Sequence, residues 1–278
     1  MSVKIVTDST SDIPASLAHE LGITVVPLNV YFGTETFRDG IDIKPDEFYG
    51  KLVSSSQLPT TSQPSVGDFL SIYEELGTNN KEIISIHISS KLSGTLNSAN
   101  QAKEQYKGDA RIETIDSEHG SIGLAMVVLA ASKAAEAGLG LDDVIKEVKL
   151  AIGEVQFFAL VDTLEYLEKG GRIGKAQAFM GSVLKIKPIL TVKDGEVFPL
   201  EKIRSRGKGI DRLCELVKAC TPLSGMCVAY TTTPDDAQTL ADRLKEFLPN
   251  GDIILSQVGP VVGTHSGPGV LAVALRKA

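Results

Sequence analysis

Tryptophan is absent from this sequence, and aromatic residues make up only 5% of it. Surfaces that stack bases or sugar rings are built from such side chains, so binding of that kind is disfavoured. Cysteine is nearly as scarce. Cys214, Cys220 and Cys227 have no metal-type spacing and leave one thiol over in any disulfide scheme, which fits a reducing, cytoplasmic setting. The four histidines, His19, His87, His119 and His265, are scattered with no HxxxH, CxxC or clustered carboxylate pattern beside them, so no metal centre is expected. A basic block is missing too. Lys and Arg total 28 against 35 Asp and Glu, a net charge of −7, and nucleic acid or an anionic membrane is a poor partner for such a chain. The apolar run over residues 122–131 is too short to cross a bilayer and rich in alanine, so it reads as a buried helix. Met1 leads almost at once into a strand pattern, and no signal peptide is expected.

What the 278 residues do contain is enough apolar sequence for one large or two medium domains. Short β-branched runs at residues 3–7, 24–31, 83–88 and 111–115 read as strands, and helices are expected between them. Residues 34–40 suggest a hairpin around Asp39-Gly40, and residues 54–64 are too rich in hydroxyls and proline to be regular. Two helices, over 121–137 and 141–153, close this half. Strands alternating with helices predict an open, mostly parallel α/β sheet flanked by helices. From residue 156 the texture changes to a strand at 157–161, helices at 162–172 and 174–184, and a hairpin turning at Asp194-Gly195. Further helices and strands complete a second, α+β domain. It ends in a glycine loop over 258–269 that presents His265, followed by a strand or short helix. The expected domains are 1–155 and 156–278.

The most informative stretch is residues 81–100. A buried strand at 83–88 leads through a serine-rich turn into a helix capped by Ser93 or Thr95. The unpaired amides of the first helical turn, with the Ser93 and Thr95 hydroxyls, converge on a spot that suits a small anion; the alternative is simple capping. In open parallel sheets, ligands bind beyond the carboxyl ends of strands. Asp8-Ser9, the turn at 89–93 and Asp116-Ser117 all follow strands, which favours a site at that edge. His87 alternates within a strand and reads as a satisfied core residue, whereas His265 between glycines can reach a ligand. Ser93, His265 and Asp116 can be arranged on paper as a hydrolase triad, but Leu92-Ser93-Gly94-Thr95 lacks the G-x-S-x-G elbow. Gly170-Gly171-Arg172-Ile173-Gly174 lacks Walker spacing and reads as a helix C-cap, with Arg172 left as a carboxylate partner. A small-molecule hydrolase and a phosphate- or nucleotide-binding protein remain alternatives at the same strand-end site.

Several blocks resemble one known family. Asp8-Ser-Thr-Ser-Asp12, Thr60-Thr-Ser-Gln-Pro-Ser65, Ile88-Ser-Ser-Lys-Leu-Ser-Gly-Thr95, Asp116-Ser117, the run from Asp162 to Ile173, Lys187-Pro-Ile-Leu190 and Thr264-His-Ser-Gly-Pro-Gly269 are similar, in order, to the DegV family. The run at 116–121, Asp-Ser-Glu-His-Gly-Ser, departs from the small residues more usual there. The resemblance implies a bacterial fatty-acid-binding protein that holds one long acyl chain between two domains. It implies no enzyme activity of its own and no cofactor beyond that ligand. The implied partner is a fatty-acid kinase whose acyl-phosphate product feeds phospholipid synthesis, with at most transient membrane contact.

By the same resemblance, Thr61, Ser62 and Ser93 match hydroxyl positions around the ligand carboxylate, and Arg172 and His265 match polar positions beside it. Gly94 and Thr95 belong to the same turn. Lys202, Arg204 and Lys208 match a basic stretch associated with kinase docking, within a cluster that also holds Lys193, Arg206 and Arg212. An acyl tail needs a dry tunnel. Ile122, Met126 and Leu129, with their neighbours Leu124, Val127 and Val128, are candidates for one wall, and Phe157, Phe158, Phe179 and Leu184 for the other. A tail of about fifteen methylenes at about 0.8 kcal/mol each would gain roughly 12 kcal/mol on burial, part of which is lost in ordering it.

Overall fold

A computed structural model describes residues 3–181, 186–249 and 251–278. The first half runs β1 (Lys4–Asp8), a 3-10 turn at Ser9–Ser11, α1 (Ala15–Glu20), β2 (Thr24–Val26), β3 (Asn29–Phe32) and β4 (Glu35–Arg38). It continues through α2 (Pro45–Ser54), β5 (Thr60–Ser62), α3 (Val66–Asn79), β6 (Glu82–His87), α4 (Thr95–Gln105) and β7 (Arg111–Asp116). Helices α5 (Ile122–Glu136) and α6 (Leu141–Glu154) follow. The second half begins with β8 (Val155–Leu160), α7 (Glu165–Lys169), a 3-10 segment at Gly174–Phe179, β9 (Lys187–Lys193) and β10 (Glu196–Ile203). It closes with α8 (Arg206–Lys218), β11 (Leu223–Tyr230), α9 (Pro234–Leu244), β12 (Ile254–Gln257), α10 (Pro260–Ser266) and β13 (Leu271–Lys277).

The fold is mixed α/β. Strands β2-β1-β6-β7 form the expected parallel sheet. β10-β9-β8-β13-β11-β12 form a second sheet, antiparallel except for the β11–β12 pair. The Asp194-Gly195 turn between β9 and β10 has both residues at positive φ, 50° and 77°, as a two-residue hairpin requires.

Four local expectations are corrected. The strand read over 24–31 is two strands, interrupted at Pro27, which has no amide to give to a ladder. β2 stays in the parallel sheet while β3 leaves to join β4 and β5 in a small antiparallel sheet. The hairpin there turns at Gly33-Thr34, not at Asp39-Gly40. The hydroxyl-rich loop contains β5, whose pairing with β3 orients Thr61 and Ser62. The helix read over 174–184 is a 3-10 segment over Gly174–Phe179, and Leu184 lies outside the described residues.

Helix α5 explains how the sheets come together. It carries apolar or small side chains all round, and twelve of its residues are buried. Such a helix needs cover on every side. It packs on β1 and β6 of the first sheet and on β8, β11 and β13 of the second. Gly225 of β11 has no side chain to obstruct the Met126 methyl, which lies 2.9 Å from where a Cβ would be. One buried core therefore runs from Val3 and Ile84 through α5 to Ala159, Ala229 and Ala274. Residue 155, where the sequence texture shifts, is the first residue of β8, and this core crosses it.

Candidate functional site

Beyond the carboxyl ends of β1 and β6 the two sheets diverge around a cavity with about 1080 Å³ of empty space, its open mouth included. One wall comes from the first half: Leu28, Ile88, Leu92 and the turn at Gly120-Ser121. The opposite wall is the inner face of the second sheet. Because strand side chains alternate, Phe157, Ala159 and Val161 point into the cavity. Phe158 and Leu160 point the other way, into a separate core with Ile210 and Leu213 of α8. Leu190, Val192 and Val197 of the β9–β10 hairpin, Val270 just before β13, Ala272 of β13, and Val261 and Val262 of α10 complete the apolar part of the lining.

The polar groups of the lining include most of the predicted head-group residues. Thr61, Ser62, Ser93, Arg172 and His265 all border the cavity. The Thr61 hydroxyl and His265 Nε2 are 2.8 Å apart. Ser62 Oγ is 2.9 Å from the Tyr31 hydroxyl. Ser93 Oγ accepts from the Thr95 amide at 3.3 Å and lies 2.9 Å from Thr95 Oγ1. Arg172 donates through Nε to the Leu92 carbonyl at 3.2 Å and through Nη1 to the Gly170 carbonyl at 2.8 Å. Those bonds aim the guanidinium across the gap between the halves. His265 sits on α10 and not in a loop, because Pro260 at the start of a seven-residue helix and Gly267 (φ 74°) after it punctuate the glycine-rich run. Burial, reinforced by Arg172, lowers its pKa to about 4. The imidazole is thus neutral near pH 7, and Arg172 supplies the positive charge among these five residues.

Several predicted residues fall elsewhere. Gly94 and Thr95 are not among the lining residues. The cap of helix α4 is neither Ser93 nor Thr95 but Gly94 between them, with no side-chain cap bond, and Thr95 is the fully buried first residue of the helix. Gly94 still shapes the site, since a Cβ there would lie 2.8 Å from the Gln63 amide nitrogen. None of the block Ile122, Met126, Leu129, Phe158 and Phe179 lines the cavity. Ile122 is locked in the core at the start of α5. Met126 and Leu129 border a different recess beside Met226 and Ile254. Phe158 is turned away by the strand alternation, and Phe179 lies under the Lys202 ammonium, 4.8 Å from the ring centre. Of the aromatic candidates only Phe157 reaches the cavity.

Thr10, Gln63, Ser121 and Ser266 border the cavity without having been singled out. Thr10 is anchored by Asp8, whose Oδ1 accepts from its amide at 3.1 Å and from its hydroxyl. The clue for Thr10 was its place in the polar turn after β1, and for Gln63 its place in the Thr60–Ser65 block. Ser266 likewise stands in the Thr264–Gly269 block and Ser121 at the end of the 116–121 run, but nothing in those stretches distinguished either serine.

The hydrolase triad is not assembled. His265 pairs with Thr61, and Asp116 instead accepts from the Ser90 and Glu118 amides at 3.2 and 2.9 Å. A triad-like chain does exist around His87, which lies 2.7 Å from Ser85 Oγ and 3.0 Å from Asp8 Oδ2. All three are fully buried and Ser85 also accepts from the Tyr73 hydroxyl, so His87 is the satisfied core residue expected.

Among the basic cluster, Arg206 is bound to Asp162 and Asp236, and Arg212 to Glu201 and Glu215. They are structural. Lys202, Arg204 and Lys208 are exposed, and none forms an ion pair among the described residues. No helix among the described residues is long and apolar enough to cross a membrane.

Known proteins share this architecture throughout. A DegV domain-containing protein of Clostridium perfringens is 39% identical, with 96% of each chain covered. Protein DegV of Bacillus subtilis is 36% identical over 98% of each. Among solved structures, a DegV family protein from Thermus thermophilus described for its fatty acid binding superposes with a TM-score of 0.93 at 35% identity, covering all of both chains. A structure of DegV from Bacillus subtilis, described as a fatty acid binding protein, gives 0.90 at 35% identity, also over all of both chains. A stearic acid-binding protein from Eubacterium ventriosum gives 0.90 at 27% identity, covering 99% of this chain and 98% of that one. The family model described as "Uncharacterised protein, DegV family" matches residues 2–278, and with relatives 36–39% identical over nearly the whole length the chain belongs to the DegV family.

Proposed function

We propose that this protein binds a long-chain fatty acid in the cavity between residues 1–155 and residues 156–278. Its tail lies against Phe157, Ala159, Val192, Val262 and Ala272, and its carboxylate is held by Thr61, Ser62, Ser93, Arg172 and His265. The observation that carries this reading is an apolar cavity bordered by one arginine and a group of hydroxyls. A neutral histidine among them adds no second charge. Hydroxyls and a guanidinium are strong partners for a carboxylate, and an acyl chain is the ligand that needs both environments in one molecule. The solved relatives described as binding fatty acids agree with it.

The protein acts as a binding component and not as a stand-alone enzyme, and it presents the carboxylate to a cytoplasmic fatty-acid kinase that makes acyl-phosphate for phospholipid synthesis. Lys202, Arg204 and Lys208 form the docking face. Their exposure supports this, whereas Arg206 and Arg212 are occupied within the fold. Organic extraction of the purified protein followed by mass spectrometry tests the core of the reading. A stoichiometric long-chain acid is the expected result, and repeated extraction of none overturns it.

A further inference from the structure

Two acidic side chains behind the cavity do not belong to the head-group site. Asp12 and Asp39 are almost completely buried, and both hold the start of α10. Asp12 Oδ1 accepts from the Gly259 amide at 2.8 Å, and Asp39 accepts from the Val261 amide. Gly259 lies between them, since a Cβ there would be 3.0 Å from Asp12 Oδ1 and 3.1 Å from Asp39 Oδ1. Asp12 also binds the other wall. Ser121 Oγ donates to its Oδ2 at 2.5 Å, and Ser121 holds φ 51°, ψ −141° at the cap of α5, a backbone conformation that a serine rarely adopts. Asp12 itself has φ 52°. Strained, buried and mutually bonded residues of this kind persist only where the surroundings over-determine them. Ser121, Val261, Val262, His265 and Ser266, all on the two elements that Asp12 joins, line the cavity.

We infer that Asp12, supported by Asp39, is a positioning residue that works as a proton-operated brace, holding α10 and the start of α5 in place as cavity walls. The inference rests on the acyl-chain reading of the cavity for its effect on ligand, but the brace itself does not. The groups that face the pair are Asp8 at the end of β1, Tyr49 on α2 and the two carboxylates themselves; Asp8 is in turn paired with His87 of β6. Burial pushes Asp12 up to about 8 and Asp39 up to about 7, and it outweighs the hydrogen bonds from Ser121, Ser9, Gly259 and Val261 that favour the anions. With both protonated, the brace is uncharged and each carbonyl oxygen still accepts an amide. As the pH rises through 7 to 8, negative charges appear beside one another and beside Asp8 in a dry site, and water must enter to solvate them. The groups that have to yield are the ones they hold, α10 and Ser121.

Two readouts on the full chain test this. Delipidated protein is followed by amide hydrogen exchange in peptides covering residues 258–262 between pH 6 and 9, corrected for the intrinsic rise in exchange with pH. Protein preloaded with cis-parinaric acid is followed by release into excess acceptor vesicles of phosphatidylcholine. In the wild type, release accelerates about tenfold over that range, the limit that one ionisation sets per unit of pKa shift, and corrected exchange rises with it. Asp12→Asn keeps the carbonyl acceptor without the charge and leaves Asp39 to ionise by itself, so both readouts rise less with pH than in the wild type; Asp12→Ala is fast at every pH. If Asp12→Asn does not fold, Asp39→Asn, expected to lower the slope, takes its place. An Asn variant that follows the wild-type profile, or wild-type exchange that shows only the intrinsic rise, overturns the brace. If no form holds parinaric acid at any pH, the acyl reading fails while exchange at 258–262 still decides the brace by itself.

Discussion

Ser93→Ala removes a hydroxyl that borders the cavity and already serves two partners. Its oxygen accepts from the Thr95 amide at 3.3 Å and meets Thr95 Oγ1 at 2.9 Å. Both distances leave its proton or a lone pair for a third group in the cavity. A hydrogen bond to a charged carboxylate contributes about 1.5–3 kcal/mol, so the acid should bind about 10- to 150-fold more weakly. Against roughly 12 kcal/mol of gross tail burial that loss weakens binding without abolishing it. The useful comparison is a fatty alcohol of the same chain length, which fills the same apolar walls with no charge at its head. Titration calorimetry or fluorescent displacement should show Ser93→Ala costing the acid several-fold more than the alcohol. Chemical denaturation of the ligand-free proteins should show a loss of about 1–3 kcal/mol, because the variant also gives up the bonds to the Thr95 amide and to the buried Thr95 Oγ1, and that loss is common to the acid and alcohol measurements. Equal losses for acid and alcohol, or no loss for the acid, would refute the placement of the carboxylate at Ser93.

Ala159→Leu projects three further carbons from the inner face of β8 into the cavity, so co-purified acids should shift to shorter chains by mass spectrometry; an unchanged profile would place the tail elsewhere. His265→Gln should alter the pH dependence of stability between pH 4 and 6.5. The folded histidine is held near 4 against an ordinary 6.5, so the unfolded chain binds the extra proton there and wild-type stability falls with acid. The variant should lose a slope of at most about 1.4 kcal/mol per pH unit in urea unfolding at pH 4 to 6.5, and parallel wild-type and variant curves would contradict it. Arg204→Ala should leave fatty-acid content unchanged and lower turnover by a cognate kinase, with the salt dependence typical of rim charges. Lipid loss or unaltered turnover would make the patch ordinary surface.

The parallel sheet, α5 and the β9–β10 hairpin were legible because periodicity and turn chemistry are local. So were the five residues that the structure brings to the cavity, although their identification leaned on motif resemblance more than on pattern. What failed was orientation. Phe157 and Phe158 look alike in sequence, and only the register of β8 against β13 decides that Phe157 faces the cavity. Met126 and Leu129 looked like tunnel residues because α5 is apolar all round, and an all-apolar helix gives no hint of which neighbour each face meets. β5 was hidden in a hydroxyl-rich loop whose pairing with β3 is a tertiary event. Asp12 stands out in the sequence only as the end of the Asp8–Asp12 block, since burial between two distant segments leaves no mark on the residues beside it.

The position of α5 between the sheets limits how a bound molecule can leave. A cavity lined from two halves suggests a hinge, but here the halves share a helix that belongs to both. Parting them would uncover Met126 and its buried neighbours along the β8, β11 and β13 side. Each large apolar side chain exposed costs about 1.5–3 kcal/mol, so a few of them consume the roughly 5–15 kcal/mol that keeps a whole domain folded. Wholesale opening is therefore nearly synonymous with unfolding. Traffic into and out of the cavity is left to small displacements at its rim, and the two halves should melt as one cooperative unit.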